Sequence, residues 1–345
     1  MSHYSVMQLC ASAIRGTIIA PPDKKLVVSD LANIEGRDAA WLAGETWKLQ
    51  AFYDYDTILG YTTDGKQKAI RKGPDLYKLA YAKSFNIPHT EVDEDQRQIG
   101  KIQELALQFA GGVGAFVTFA AAYNIDLDAL ADVAYDTLPD TVREEAEGCY
   151  KWMVKKGKST FDMKPNTFVM CDSFKRLWRQ AHPAISSYWG ELEAAIRMAA
   201  RNPGNTIQCR KVKVRRDGAW LRLGLPSGRS LCYPGIQVDD EGQISYMGQN
   251  QYTRKWQRIK SHGGKFFENL CQALARDVMA RNMPDIENAG YEIVLTVHDE
   301  VITEAPDTDE FNVDGLSKLL SAVKPWAVGM PLAAAGFETY RYRKG

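Results

Sequence analysis

Two aspartates stand where short apolar runs end. Leu26-Val27-Val28-Ser29 leads into Asp30, and Ile293-Val294-Leu295 and Val301-Ile302 flank His298-Asp299. A carboxylate set into an apolar hairpin is costly unless a cation or a hydrogen-bond donor meets it. Two such acids from distant strands can share a pair of divalent ions, which in phosphoryl-transfer sites sit about 3.5–4 Å apart. Magnesium favours oxygen ligands of this kind and keeps several waters. The structural alternative is a helix cap at Asp30 and a hairpin turn at Asp299. Spacing leaves both readings open. Arg97 and Lys101 are four residues apart, on one face of a helix that continues through Leu105 and Phe109. That face can take phosphates at its charged end and a base and sugar further along. A solvated basic edge above a core stripe is the plainer reading.

The elements that must position these groups follow from pattern. Pro21-Pro22-Asp23 signals a turn, and the run after it reads as a buried strand ending at Asp30. Residues 34–49 read as helix. Residues 54–73, with Gly60, Gly65 and Gly73, read as a loop or tip. Helices are expected over 74–84, 93–109, 115–123, 127–155 and 172–201, and the acidic start of the 93–109 segment suits a helix N-terminus. Residues 208–233 alternate as strands, with hairpin turns at Asp217-Gly218 and Ser227-Gly228. A helix over 264–282 closed by Pro284, a hairpin over 291–304, a short helix over 313–323 and a last strand over 331–339 complete the chain.

The 345 residues can hold one large or two modest domains. With 43 basic and 43 acidic residues, net charge does not point to a polyanionic partner. Local charge does: Arg210 to Lys265 carries 12 Lys/Arg against 4 Asp/Glu, with Tyr252 and Trp256 inside it. A duplex backbone favours such a stretch, and a basic solvated loop is the alternative. The six cysteines form no C-x-x-C pair and read as reduced thiols. No apolar run is long enough for a membrane span and no signal peptide opens the chain, so a cytoplasmic location and no membrane partner are expected.

Several segments together resemble family A (DNA polymerase I-like) DNA polymerases. Asp30-Leu31-Ala32-Asn33-Ile34-Glu35-Gly36-Arg37 is similar to motif A, usually DYSQIELR. Arg97-Gln98-Ile99-Gly100-Lys101, running on to Phe109 and its glycines, is similar to motif B. Val297-His298-Asp299-Glu300 is similar to motif C, and the order is the family's. Gly228-Arg229 to Pro234 resembles the GRRxxLP hairpin, and Gln272 to Asp277 resembles the QGTAAD helix. The segment from Gln103 to Phe116 is similar to bacteriophage-type members.

The resemblance implies an α+β fold: a polymerase palm with an antiparallel sheet, plus a mostly helical fingers subdomain. Residues 1–44 would be the first part of the palm, 45–205 the fingers, and 206–345 the second part of the palm. It implies template-directed addition of dNTPs to a primer 3′-hydroxyl, with two magnesium ions held by Asp30, Asp299 and the Leu31 carbonyl. Lys101 would join those aspartates in catalysis. Arg97, Lys101, Leu105, Phe109, Leu31 and the sugar-gating Glu35 would hold the nucleotide. His298, Gln272 and Arg229 would touch primer-template DNA, with Arg37 and Glu300 in support. A single-subunit RNA polymerase is disfavoured by Glu35 and Glu300. A catalytically weak or inactive DNA-binding fragment is the alternative function.

The chain departs from the family in places. Leu105 stands for Phe or Tyr, Glu104 and Ala106 for Asn and Gly, Phe109 for Tyr, Leu31 and Asn33 for Tyr and Gln, and Glu268 for Asn. Altered sugar selectivity is therefore expected. Only 29 residues precede Asp30. Thumb and exonuclease domains are accordingly expected to be absent, and an upstream chain carrying them is an expected partner.

Overall fold

The computed structural model describes residues 10, 13–63, 68–123 and 125–342. The first strand, β1 (Lys24–Leu31), is buried almost throughout, as its unbroken apolar run requires. Helices α1 (Ile34–Ala43) and α2 (Thr46–Asp56) follow. They part at Gly44, whose φ of 70° is left-handed, so the single helix expected over 34–49 is two. The expected polar tip over 54–73 contains a small hairpin, β2 (Ile58–Tyr61) and β3 (Ala69–Arg71). Its alternation was too short to register as strand.

Helix α3 (Leu76–Phe85) is capped by Asp75, and α4 (Glu94–Leu107) by a capping box between Asp93 and Gln96. The two helices pack closely: a Cβ on Gly100 would lie 2.1 Å from the Tyr77 carbonyl oxygen. Then come α5 (Val113–Ala122), α6 (Leu127–Ala134), α7 (Asp140–Lys155), α8 (Pro165–Ala181) and α9 (Pro183–Arg201). Pro139 and Pro183 divide what periodicity alone joined, because proline opens a helix more readily than it continues one.

Strands β4 (Thr206–Cys209), β5 (Val212–Asp217), β6 (Trp220–Gly224) and β7 (Ser230–Pro234) form an antiparallel meander. Its turns fall at Asp217-Gly218 and Ser227-Gly228, as the sequence indicates. A second sheet comprises β8 (Gln237–Val238), β9 (Ile244–Gln249) and β10 (Trp256–Ser261). Helix α10 (Gly263–Asn288) runs through Pro284 instead of ending before it. The chain closes with β11 (Glu292–Val297), β12 (Glu300–Pro306), α11 (Val313–Leu320) and β13 (Ala334–Thr339).

Two compact units result. The first comprises residues 1–38 and 272–345 and is built on an antiparallel sheet in the order β11-β12-β1-β13. Leu26, Val28, Ile302 and Tyr342 form its core cluster. Helix α11 covers the sheet, and the Ser29 and Ser317 hydroxyls meet at 2.8 Å. Strand β13 approaches β1 so closely that a Cβ on Gly336 would sit 1.8 Å from the Val28 carbonyl oxygen, which requires glycine. The second unit, residues 39–271, holds helices α2 to α9 and the other three sheets, while α1 and α10 each run across a boundary. The units part at 38/39 and 271/272. The expected palm and fingers boundaries at 44 and 205 describe roles, and residues 206–271 cluster with the helical unit.

Candidate active site

Strand pairing places the two aspartates beside each other. In the β1–β12 ladder Asp30 lies opposite Glu300, and the Leu31 N–H donates to the Asp299 carbonyl at 3.2 Å. Asp299 is half-buried and sits with His298 in the two-residue connection between β11 and β12. His298 takes the left-handed φ of 56° that a tight hairpin needs, and its side chain is exposed. Asp30 is half-buried near the end of β1, beside the buried Leu31. The turn role foreseen for Asp299 and a metal-binding role are thus compatible.

Two buried, hydrogen-bonded side chains lie next to this end of the sheet. Glu300 is only 2% exposed and accepts a hydrogen bond from the Tyr342 hydroxyl. Arg37, also 2% exposed, donates through Nε to the Ala32 carbonyl at 2.6 Å and through Nη1 to the Pro331 carbonyl at 3.3 Å. It therefore pins the segment after β1 to the segment before β13. Glu35 lies half-buried on the first turn of α1, one turn before the fully buried Asp38. Burial pushes the Asp38 carboxyl well above its usual range, and the charges of Glu35 and Asp277 push the same way. Among the described residues neither Asp38 oxygen meets a hydrogen-bond partner. Gln272 is exposed on α10.

The donor set suits magnesium: two carboxylates on adjoining backbone, an all-oxygen set of the kind this ion takes together with water. Among the described residues no group of three or more His, Cys, Asp or Glu side chains is arranged to hold a metal ion. A metal here would rest on the two aspartates, the Leu31 carbonyl, water and substrate oxygens.

The nucleotide-binding candidates on α4 lie in the second unit. Arg97 makes a two-pronged contact with Asp75, Nε to Oδ1 at 3.2 Å and Nη2 to Oδ2 at 3.0 Å, and meets Glu94 at 3.2 Å. The hydrogen bond and charge of Asp75 hold its guanidinium above its usual range. Lys101 lies 4.5 Å from the centre of the Tyr123 ring. Leu105 is half-buried, and Phe109 lies just past the helix end with its edge toward Phe267 at 5.9 Å. Arg229 is exposed at the β6–β7 turn, where its carbonyl accepts from the Leu225 N–H at 2.8 Å.

Sequence reasoning missed what lies behind α4. Glu104, 5% exposed, is salt-bridged to the buried Lys48, accepts from Trp178 Nε1 at 2.9 Å and faces His182 Nε2 at 3.0 Å. Burial alone would raise the Glu104 carboxyl, but Lys48 and His182 hold it far below its ordinary value. Burial lowers His182 against the pull of Glu104. The His182 ring stacks on Trp178 at 4.0 Å. Only the departure from the family's Asn at position 104 hinted at such a network.

No family model matches the chain. Over 357 aligned residues it is 29% identical to the DNA polymerase of Bacillus phage SP02, an alignment covering 99% of this chain and 46% of that protein. The chain thus spans less than half the length of this curated relative. Among solved structures it matches the POL domain of Pol1 from M. smegmatis, in complex with DNA primer-template and dNTP. The TM-score is 0.54 and the identity 15%, covering 95% of this chain and 42% of that one. The chain has a polymerase-domain fold and is similar along its whole length to a phage DNA polymerase.

Proposed function

We propose that this chain is the palm-and-fingers part of a family A DNA polymerase, extending a primer 3′-hydroxyl with dNTPs copied from a template. The observation that carries the reading is the β1–β12 register, which sets Asp30 beside Asp299 at one end of the sheet. Two bound magnesium ions would lower the pKa of the attacking hydroxyl and neutralise the triphosphate. Asp30 and Asp299 are the side chains that hold them, with the Leu31 carbonyl as a further oxygen. Lys101 and Arg97 neutralise phosphate charge, Arg97 exchanging part of its contact with Asp75 and Glu94 for the nucleotide. Leu105 and Phe109 contact the base and sugar, and Glu35 excludes a ribose 2′-hydroxyl. His298 faces the primer terminus. Gln272 and Arg229 contact DNA, while Arg37 and Glu300 keep the strand ends in place.

The proposal places the activity in the cytoplasm of a bacterial host cell. Among the described residues no single helix is long and apolar enough to cross a membrane. This chain spans less than half of the phage relative, and grip on the duplex and proofreading are assigned to the remainder of such a polymerase. Primer extension with magnesium tests the proposal. The expected result is template-dependent, distributive extension with dNTPs over rNTPs, improved by adding any protein encoded just upstream. Folded protein that binds DNA but extends no primer in either setting would favour the inactive DNA-binding fragment.

A further inference from the structure

We propose that the β9–β10 hairpin is a single-stranded DNA-binding element, in which Tyr252 and Trp256 stack on unpaired bases while Arg254, Lys255, Arg258 and Lys260 neutralise the phosphates.

Apolar rings are normally withdrawn from water, as where Tyr233 packs edge-on to Tyr246 and Phe266 at 4.9 and 5.0 Å beneath the hairpin's own sheet. At the hairpin the opposite holds. Tyr252 is 94% exposed and Trp256 65% exposed. Their placement is built. The Asn250 side chain accepts from the backbone N–H of Tyr252 at 3.0 Å and of Thr253 at 2.9 Å. Asn250 and Lys255 close the tip at 2.9 Å, and Arg254 adopts a left-handed φ of 57°. The tip is a fixed turn that holds its rings outward.

Trp256, Arg258 and Lys260 alternate along β10 and therefore share one face, at steps of about 7 Å. Arg258 and Lys260 line a cleft of about 490 Å³, together with Val238, Ser245 and one acid, Asp239. From Gln243 to Lys265 there are five Lys or Arg and no Asp or Glu. The partner must therefore be anionic and must offer flat apolar faces. Single-stranded DNA offers both, whereas a duplex hides its base faces and asks only for cations.

The inference rests on the polymerase reading only for the source of the strand, the template ahead of the primer. The test measures binding of a labelled oligothymidylate and of a blunt duplex to the wild-type chain, Tyr252→Ala and Trp256→Ala. Both positions are exposed, so the variants are expected to keep the wild-type melting temperature. Each is expected to weaken oligothymidylate binding about ten-fold and to leave duplex binding unchanged. In wild type the oligonucleotide should quench Trp256 emission, read as the difference from Trp256→Ala. Wild-type affinity for the single strand in both variants would overturn the proposal, as would equal losses for strand and duplex. Primer extension by the wild-type preparation reports separately on the polymerase reading, so either can fail alone.

Discussion

Leu105 is the residue at which nucleotide selection should differ from the pattern of similar polymerases. A leucine offers apolar contact to a sugar but no planar ring edge. In Leu105→Phe the ratio of dideoxynucleotide to deoxynucleotide incorporation should shift by roughly two- to ten-fold, the range that about 0.5–1.5 kcal/mol of aromatic contact gives. Identical ratios would mean that position 105 does not touch the sugar. Asp38 makes a different prediction, because its raised pKa means that the folded state binds a proton more tightly than the unfolded chain. The stability this confers is present in acid and is lost as pH rises above 3.8, the ordinary Asp value, through the folded pKa. Asp38→Asn cannot ionise and should raise the melting temperature at pH 7 by at least about 2 °C, with a smaller gain near pH 4. A gain independent of pH would show that Asp38 titrates normally.

At the scale of elements, α4 is anchored by charges far apart in sequence. Lys48 comes from α2, Glu104 from α4, and Trp178 and His182 from the end of α8 and the residue after it. Removing one member of a buried ion pair typically costs about 3–5 kcal/mol, because the other charge is left in a poor solvent. Glu104→Gln should therefore destabilise the folded chain at pH 7 by an amount in that range. Glu104 and His182 both have depressed folded pKa values. Their contribution is full above 6.5, the ordinary His value, and falls as pH drops below 6.5 and then 4.5. The gap between wild type and Glu104→Gln, followed by thermal melts, should narrow as pH falls below 4.5, where the unfolded chain takes up the Glu104 proton that the folded state refuses; a gap unchanged below 4.5 would mean that Glu104 titrates normally. Beyond the odd residue at position 104, this network was not legible in the sequence, since an ion pair 56 residues apart leaves no local pattern. Strand β1, the acidic start of α4, the meander turns and the late hairpin were legible, because buried strands, helix N-termini and turns impose local residue preferences. The hairpin over 58–71 was not, its strands being short and mostly exposed. Nor was the passage of α10 through Pro284, where the helix overrides local propensity.

For the whole molecule, pattern and resemblance singled out the two aspartates, and the sheet makes their backbones neighbours. An acid near residue 30 and another near residue 300 become neighbours only through antiparallel pairing of β1 with β12, which no single segment encodes. Long-range pairing of this kind decides whether the polymerase reading holds, irrespective of what else a complete enzyme brings to the duplex. Manganese binding, followed by electron paramagnetic resonance in the presence of dNTP, tests that link most directly. The account predicts protein-dependent loss of the free-ion signal in wild type, and its recovery toward the dNTP-only level in both Asp30→Asn and Asp299→Asn. Undiminished binding of the ion in both variants would contradict it.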